Sequence, residues 1–287
     1  MDGVSTGRWI DPTGCATNAR VALRAIALDL DGTLVKTGVL EISDADRQAI
    51  HDAASAGVHV VVATARTPSQ ARQFQRELGL VGPVIGNNGS LVELEDGREL
   101  LHRRIEAACA HRILTALVEA DLHPSIIQGN AIFRRSGPDR RAGRESFTVN
   151  FCEYAVETVD DPFAVIRDGA TQIGIFARSL EPVLQRLASE PVCALRYYDA
   201  EVLSGAIFVH VDASKGDALR AVFRYLDGDP VDTLAVGDSE ADLPMFSVVG
   251  HAVAVGNANP AVRAAAHWVA PPQWESGVAA AIRRFLR

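Results

Sequence analysis

Ala25-Ile26-Ala27-Leu28-Asp29-Leu30-Asp31-Gly32-Thr33-Leu34 is the stretch on which the reading of this chain turns. An apolar run of this length, bounded by Gly, predicts a strand buried on both faces, as in a parallel sheet. Asp29 and Asp31 then fall at its C-terminal end, with Leu30 between them on the opposite side. Open α/β sheets bind their ligands at that edge. Two like charges about 4 Å apart repel by roughly 4 kcal/mol at an effective dielectric near 20. A hard divalent cation relieves that repulsion, and Mg2+ favours carboxylate and phosphate oxygens. Taken alone, Asp-x-Asp-Gly is equally compatible with a strand followed by a turn, so the rest of the chain has to decide.

Working outward, Ser43-Asp44-Ala45-Asp46 resembles a capping box and predicts a helix that Gly57 closes. Residues 58–63 read as a second buried strand ending at Thr64. Thr67-Pro68 opens a second helix, with Pro at its tolerated first position, and Gly79 ends it. Residues 83–86 form a third short strand. This βαβαβ order predicts a doubly wound parallel sheet. At Asn87-Asn88-Gly89 the pattern changes: a hairpin over 90–105, a helix over 107–120 and a second hairpin turning at Gly129-Asn130. Residues 136–145 read as a basic loop. Strands at 171–176 and 192–198 flank a helix at 180–188. The parallel pattern returns with a helix from Ser214 to Leu226, strands at 232–236, 251–255 and 267–270, and a last helix over 275–286. The expected fold class is therefore α/β, a Rossmann-like core (21–86 and 212–287) carrying an inserted α+β cap (87–211), with a loose extension at 1–20.

Bulk properties narrow the function classes. The net charge of −8 and pI near 5.5 argue against a nucleic-acid partner. Cys15, Cys109, Cys152 and Cys193 lie far apart and form no Cys-x-x-Cys, which fits a reducing compartment better than a disulfide framework. No apolar run approaches the roughly 20 residues of a membrane span, and residues 1–20 lack the apolar centre of a signal peptide. The expectation is a cytoplasmic protein with no membrane partner, monomeric or homodimeric. Of 28 Lys and Arg, only Lys36 and Lys215 are Lys. That rarity makes the position of Lys215, at a helix start where a cation opposes the helix dipole, an argument for function. The eight His residues show no zinc-ligand spacing.

Four segments carry the chemistry: Asp29 and Asp31; Thr64 with Ala65 and Arg66; Lys215; and Asp238 with Asp242. Each follows a strand or opens a helix, so one parallel sheet can gather them along one edge. The set suits phosphoryl transfer. A carboxylate attacks phosphorus, a neighbouring acid protonates the leaving oxygen and later activates water, and a hydroxyl, an ammonium and Mg2+ meet the phosphoryl charge.

In this order and spacing, the chain resembles the haloacid dehalogenase-like hydrolases, specifically the Cof-type phosphatases of subclass IIB. Asp29-Leu30-Asp31-Gly32-Thr33 looks like the first motif of that family, Thr64 the second, Lys215 the third, and Asp238 with Asp242 the fourth; 255–258 and 275–278 resemble later signatures of the same branch. Asp31 and Thr64 are only 33 residues apart, so the insert falls between the second and third motifs, as in this branch. The resemblance implies Asp29 as nucleophile and Asp31 as general acid/base. It implies phosphoryl binding by Thr64 and Lys215, and Mg2+ held by Asp29, the Asp31 carbonyl, Asp238 and Asp242, the last directly or through water. Ala65, Arg66 and Asn88 are further expected substrate contacts, and Arg134, Arg135, Arg140, Arg141 and Arg144 form either a substrate patch or a solvated loop. The implied activity is hydrolysis of a small phosphomonoester, a sugar phosphate first among them, through an aspartyl-phosphate. A phosphosugar mutase and a non-enzymatic phosphometabolite-binding protein are the alternatives. Two departures stand out: Ala241 occupies the place of the family's usual Asn, and Ala65 that of its usual Gly.

Overall fold

The structure is a computed structural model and describes residues 23–36, 41–136, 156–177, 180–199 and 202–286. The expected 1–20 extension and three arginines of the basic loop, Arg140, Arg141 and Arg144, lie outside these residues.

The first part of the chain runs β1 (Ala25–Leu28), α1 (Asp44–Ser55), β2 (His59–Ala63), α2 (Pro68–Glu77), β3 (Val84–Gly86), β4 (Leu91–Glu93) and β5 (Glu99–His102). The middle runs α3 (Ala107–Glu119), β6 (Ser125–Gln128), β7 (Ala131–Arg135), β8 (Val156–Val159), α4 (Pro162–Val165), β9 (Gln172–Phe176), α5 (Glu181–Arg186), β10 (Val192–Asp199) and β11 (Val202–His210). The last part runs α6 (Lys215–Leu226), β12 (Thr233–Gly237), α7 (Leu243–Phe246), β13 (His251–Ala254), α8 (Pro260–Ala265), β14 (Trp268–Val269) and α9 (Gly277–Phe285).

Eight strands form the larger sheet in the order β14-β13-β12-β1-β2-β3-β4-β5. β1 lies near its centre, paired in parallel with β12 and β2. The alternation within β1 explains the two covering layers. Ile26 and Leu28 point, with Val60, Val62, Leu234 and Val236, into a layer shared with α1 and α9. Ala25 and Ala27 point, with Ala63 and Ala235, to the other side, where small side chains let α6 pack closely through Ala218, Leu219 and Val222. Burial on both faces is what makes the strand a continuous apolar run.

The predicted cap at Ser43 forms, its Oγ accepting the Asp46 amide (3.1 Å). Asp46 does more than cap: it is fully buried, and its Oδ1 accepts the Ala279 amide (2.7 Å), which joins α1 to the first turn of α9. Burial raises the Asp46 pKa, against the opposing hydrogen bonds from Ser43 and Ala279.

The first hairpin corrects the expected cap boundary at residue 87. β4 pairs antiparallel with β3, and β5 with β4, so both complete the core sheet. The reason is local. Asn87, Asn88 and Gly89 all take positive φ (51°, 56° and 89°) and reverse the chain directly at the end of β3. Asn and Gly accept that conformation at low cost.

The second sheet, in the order β10-β11-β9-β6-β7-β8, is antiparallel except for β7 with β8. Ile126, Ile173, Ile175 and Phe208 on one of its faces pack on α3 and α5. β8 and β11 are strands that the sequence pattern does not predict. Ser204-Gly205 interrupts the β-branched and aromatic run that would mark β11.

Candidate active site

β1 hands its last ladder bond to Asp29, whose amide donates to Val236 O (3.1 Å). The chain then folds back: the Leu34 and Val35 amides both donate to Leu30 O (2.8 and 2.9 Å). Leu30, fully buried, anchors this turn in the layer under α1. Gly32 adopts φ +85°, and a Cβ there would overlap the Asp238 carboxylate, so the turn requires glycine twice over. Thr33 Oγ1 donates to Asp238 Oδ1 (2.7 Å), which ties the loop after β1 to the loop after β12.

Lys215 comes from the first turn of α6, whose N-cap Ser214 accepts the Asp217 amide (3.1 Å). The aliphatic stem is buried, and Nζ donates to Asp29 Oδ1 (2.6 Å) and Asp242 Oδ1 (2.7 Å). The other oxygen of Asp242 accepts from the amides of Asp238 and Ser239 (3.0 Å each) and from Ser239 Oγ (3.1 Å). Asp242 thus accepts hydrogen bonds on both oxygens, and in this arrangement it orients Lys215 and the Asp238 loop. Ser239, beside the Ala241 substitution, makes its bond to Asp242.

Asp29, Asp238 and Asp242 each offer a carboxylate oxygen within 4.8 Å of the others. One ammonium faces three carboxylates, which leaves surplus negative charge. Burial, first, pushes the Asp29 pKa well above the carboxylate range; Asp242 and Asp238 add to this and Lys215 opposes it. Burial and then Asp242 raise Asp238 to about 6. Lys215 is pulled down by burial, but Asp242 and Asp29 outweigh that and hold it protonated. An all-oxygen donor set with uncompensated charge fits a hard cation such as Mg2+.

Asp31 points elsewhere. Arg66 Nε and Nη2 donate to its two carboxylate oxygens (2.7 and 2.6 Å), a bidentate pair with Arg66 almost wholly buried and stacked 5.0 Å over the Phe74 ring. The expected substrate contact at Arg66 is therefore engaged with the expected acid/base. Thr64 is buried at the end of β2, and its Oγ1 accepts the Arg66 amide (3.2 Å). Asn88 N donates to Thr64 O (3.0 Å). Asn88 also reaches the second sheet through Gln172 Oε1 (3.4 Å), while Gln172 Nε2 reaches back to Ala65 O (3.5 Å).

One cavity of about 360 Å3 lies between the two sheets, with Asp29, Asp31, Thr64, Lys215 and Asp238 on its floor and Arg66 and Asn88 also in its lining. Arg134 lines its roof, whereas Arg135 points to solvent. Gln70, Gln172 and Tyr197 also line it, and sequence reasoning did not single them out. Gln172 and Tyr197 carry no local signal, because only the strand pairing in the second sheet turns them toward the core. Gln70 sits in a recognisable helix start, where its Oε1 accepts the Thr67 amide (2.8 Å).

Comparison with known proteins agrees with this geometry. The family model described as haloacid dehalogenase-like hydrolase matches residues 26–282. Phosphatase YwpJ of Bacillus subtilis is 28% identical over 296 residues, covering 92% of this chain and all of the relative. A phosphoglycolate phosphatase of Methanothermobacter thermautotrophicus is 28% identical over 268 residues, covering 92% and 99%. Among solved structures, a haloacid dehalogenase-like hydrolase from B. subtilis superposes with a TM-score of 0.79 at 25% identity, covering 92% of this chain and all of that one. Among the described residues, no helix is long and apolar enough to cross a membrane.

Proposed function

We propose, from the premise that this chain belongs to the haloacid dehalogenase-like hydrolase family, that it is a Mg2+-dependent phosphomonoesterase working through an aspartyl-phosphate on Asp29. The observation that carries this is the Lys215 ammonium held between Asp29 and Asp242, with Asp238 inside the same carboxylate cluster. The substrate is a small phosphate ester; sugar phosphates are the class the resemblance points to.

In the first step the Asp29 carboxylate attacks phosphorus and the P–O bond to the leaving group breaks. Asp31 delivers its proton to the departing alkoxide. In the second, Asp31 takes a proton from water, the water oxygen attacks the same phosphorus, and Asp29 is released with inorganic phosphate. Lys215 and Thr64 hold the phosphoryl oxygens. Asp29, Asp238 and the Asp31 carbonyl are the groups that would hold Mg2+, which when bound supplies charge neutralisation. The second sheet covers the floor and keeps bulk water from the acyl phosphate.

Phosphate release from a panel of small esters tests the reading. Release is expected with Mg2+, lost in EDTA and restored by excess Mg2+. Undiminished release in EDTA would remove the metal from the mechanism.

Arg66 offers a second test. Arg66 grips both Asp31 oxygens and so sets where that carboxyl stands, one lone pair on each oxygen remaining for proton exchange with the substrate oxygen. Arg66 then acts as a positioning residue. Arg66→Met is expected to lower kcat by about 10²-fold, the scale of a displaced general acid, with KM little changed. A rise in KM at unchanged kcat would return Arg66 to substrate binding.

A further inference from the structure

We propose that the leaving group this enzyme prefers carries a flat, largely apolar ring, seated against the second sheet directly above Asp29. This rests on the phosphatase reading and departs from the sugar-phosphate class that the resemblance points to.

An antiparallel sheet that packs one face on helices ordinarily turns a polar face outward. The second sheet does not. While Ile126, Ile173, Ile175 and Phe208 pack on α3 and α5, the opposite face is apolar too. The registers Ile127↔Ile132, Ile207↔Gly174 and Gly205↔Phe176 place Ile127, Ile132, Phe176 and Ile207 together on it. Tyr197 joins them through its pairing with Gly205. All five line the cavity whose floor is Asp29 and Lys215.

Two glycines shape this wall. A Cβ on Gly205 would run into the Phe176 ring, so the ring lies across that backbone, tilted 59° to Tyr197 with centroids 5.6 Å apart. At Gly174 a Cβ would make only ordinary contact with Ile207 (3.6 Å). Nothing in the packing excludes a side chain there, and its absence leaves a dent in the middle of the wall. Paired aromatic edges beside an apolar dent suit a planar ring.

Part of the wall's polar capacity is taken up by neighbouring groups. Arg134 Nε donates to Ser125 Oγ (2.9 Å), Ser204 Oγ to Tyr197 O (3.2 Å), and Gln172 bridges Asn88 and Ala65. A bare hexose would bring four or so hydroxyls to this surface and exchange water for few replacements. Among the described residues, two buried polar atoms of the cavity lining lack a partner, Gln70 Nε2 and Asn88 Oδ1, and both belong to segments of the core side rather than to the second sheet. A ring joined to the phosphate by a short linker matches a polar floor under a roof whose larger part is Ile127, Ile132, Phe176, Ile207 and the Tyr197 ring, with Arg134, Ser125 and Gln172 beside them.

Benzyl phosphate and glucose 6-phosphate are both esters of primary alcohols, so their comparison reads binding of the leaving group rather than its basicity. With Mg2+, kcat/KM for benzyl phosphate is expected to exceed that for glucose 6-phosphate at least tenfold. Benzylphosphonate is expected to inhibit at least tenfold more tightly than methylphosphonate. Phe176→Ala and, as a second variant that leaves the aromatic pair in place, Gly174→Val are each expected to bring the ester ratio below three. Asp29-dependent hydrolysis with the two esters equal, or the hexose favoured, overturns the ring preference and leaves the phosphatase standing. Failure to release phosphate from either ester and from acetyl phosphate overturns both.

Discussion

Asp29→Asn is expected to lower phosphate release by at least about 10³-fold, some 4 kcal/mol of transition-state stabilisation, while the metal-free protein melts at a higher temperature than the parent. The two effects have one origin. Asp29 is 5% exposed and faces Asp242 and Asp238 with a single ammonium to share. Its charge is costly in the fold, which is why its pKa lies high. A group of that kind binds its proton more tightly in the folded state, so the metal-free fold loses stability as pH rises through the range between the unfolded and folded values. The amide keeps the shape, removes one of the crowded charges and leaves Lys215 its bond to Asp242. It also removes the nucleophile. Steady-state assays with Mg2+ and melting curves in EDTA measure both halves. Retained metal-dependent turnover would reassign the nucleophile. A lower melting temperature would mean that the Lys215 bond outweighs the repulsion.

What could be read from residues alone divides along the range of the interactions involved. Asp29 and Asp31 are legible because a strand buried on both faces must be apolar until it ends, and the carboxylates mark that end. Lys215 is legible because lysine is so rare here. Asn87-Asn88-Gly89 announces a turn, yet the partner of the following strand is a long-range matter, and β4 returns to β3 rather than leaving the sheet. The same limit hides the bidentate grip of Arg66 on Asp31, whose Cα atoms belong to different crossovers. It hides the double engagement of Asp242 as well: the spacing Asp238 to Asp242 marks an acidic loop but not which oxygens remain for a cation. The roof of the cavity is the least legible part. Ile127, Ile132 and Phe176 each sit beside another apolar residue, Ile126, Phe133 and Ile175, and only the pairing of β6, β7, β9 and β11 shows which of each pair faces the cavity.

Lys215→Met is expected to be the most destabilising single change in the site. Lys215 is 2% exposed, and its Nζ lies 2.6 Å from Asp29 and 2.7 Å from Asp242, itself fully buried. Methionine fills much of the stem's volume but removes the cation, and the carboxylates then lack a counter-charge. Removing one partner of a buried ion pair costs about 3–5 kcal/mol, because the survivor stays buried and unpaired. For a protein of this size that corresponds to a fall of roughly 10 °C in melting temperature. The same argument fixes how the loss can be recovered. Mg2+ supplies positive charge to the same oxygens, so the variant should regain more of its melting temperature on adding Mg2+ than the parent gains. Asp29→Asn in the Lys215→Met background should also recover stability, since it removes one of the stranded charges. The two substitutions are then strongly non-additive, as expected of groups in direct contact. Turnover does not return with stability, because the phosphoryl oxygens have lost their ammonium; a deficit of about 10²–10³-fold is the scale for one such group. A double-mutant cycle by calorimetry, run with and without Mg2+, reads all of this at once. If Lys215→Met melts with the parent, or if the two changes add independently, then Nζ does not bridge Asp29 and Asp242, and the convergence of the four segments on one phosphoryl site fails with it.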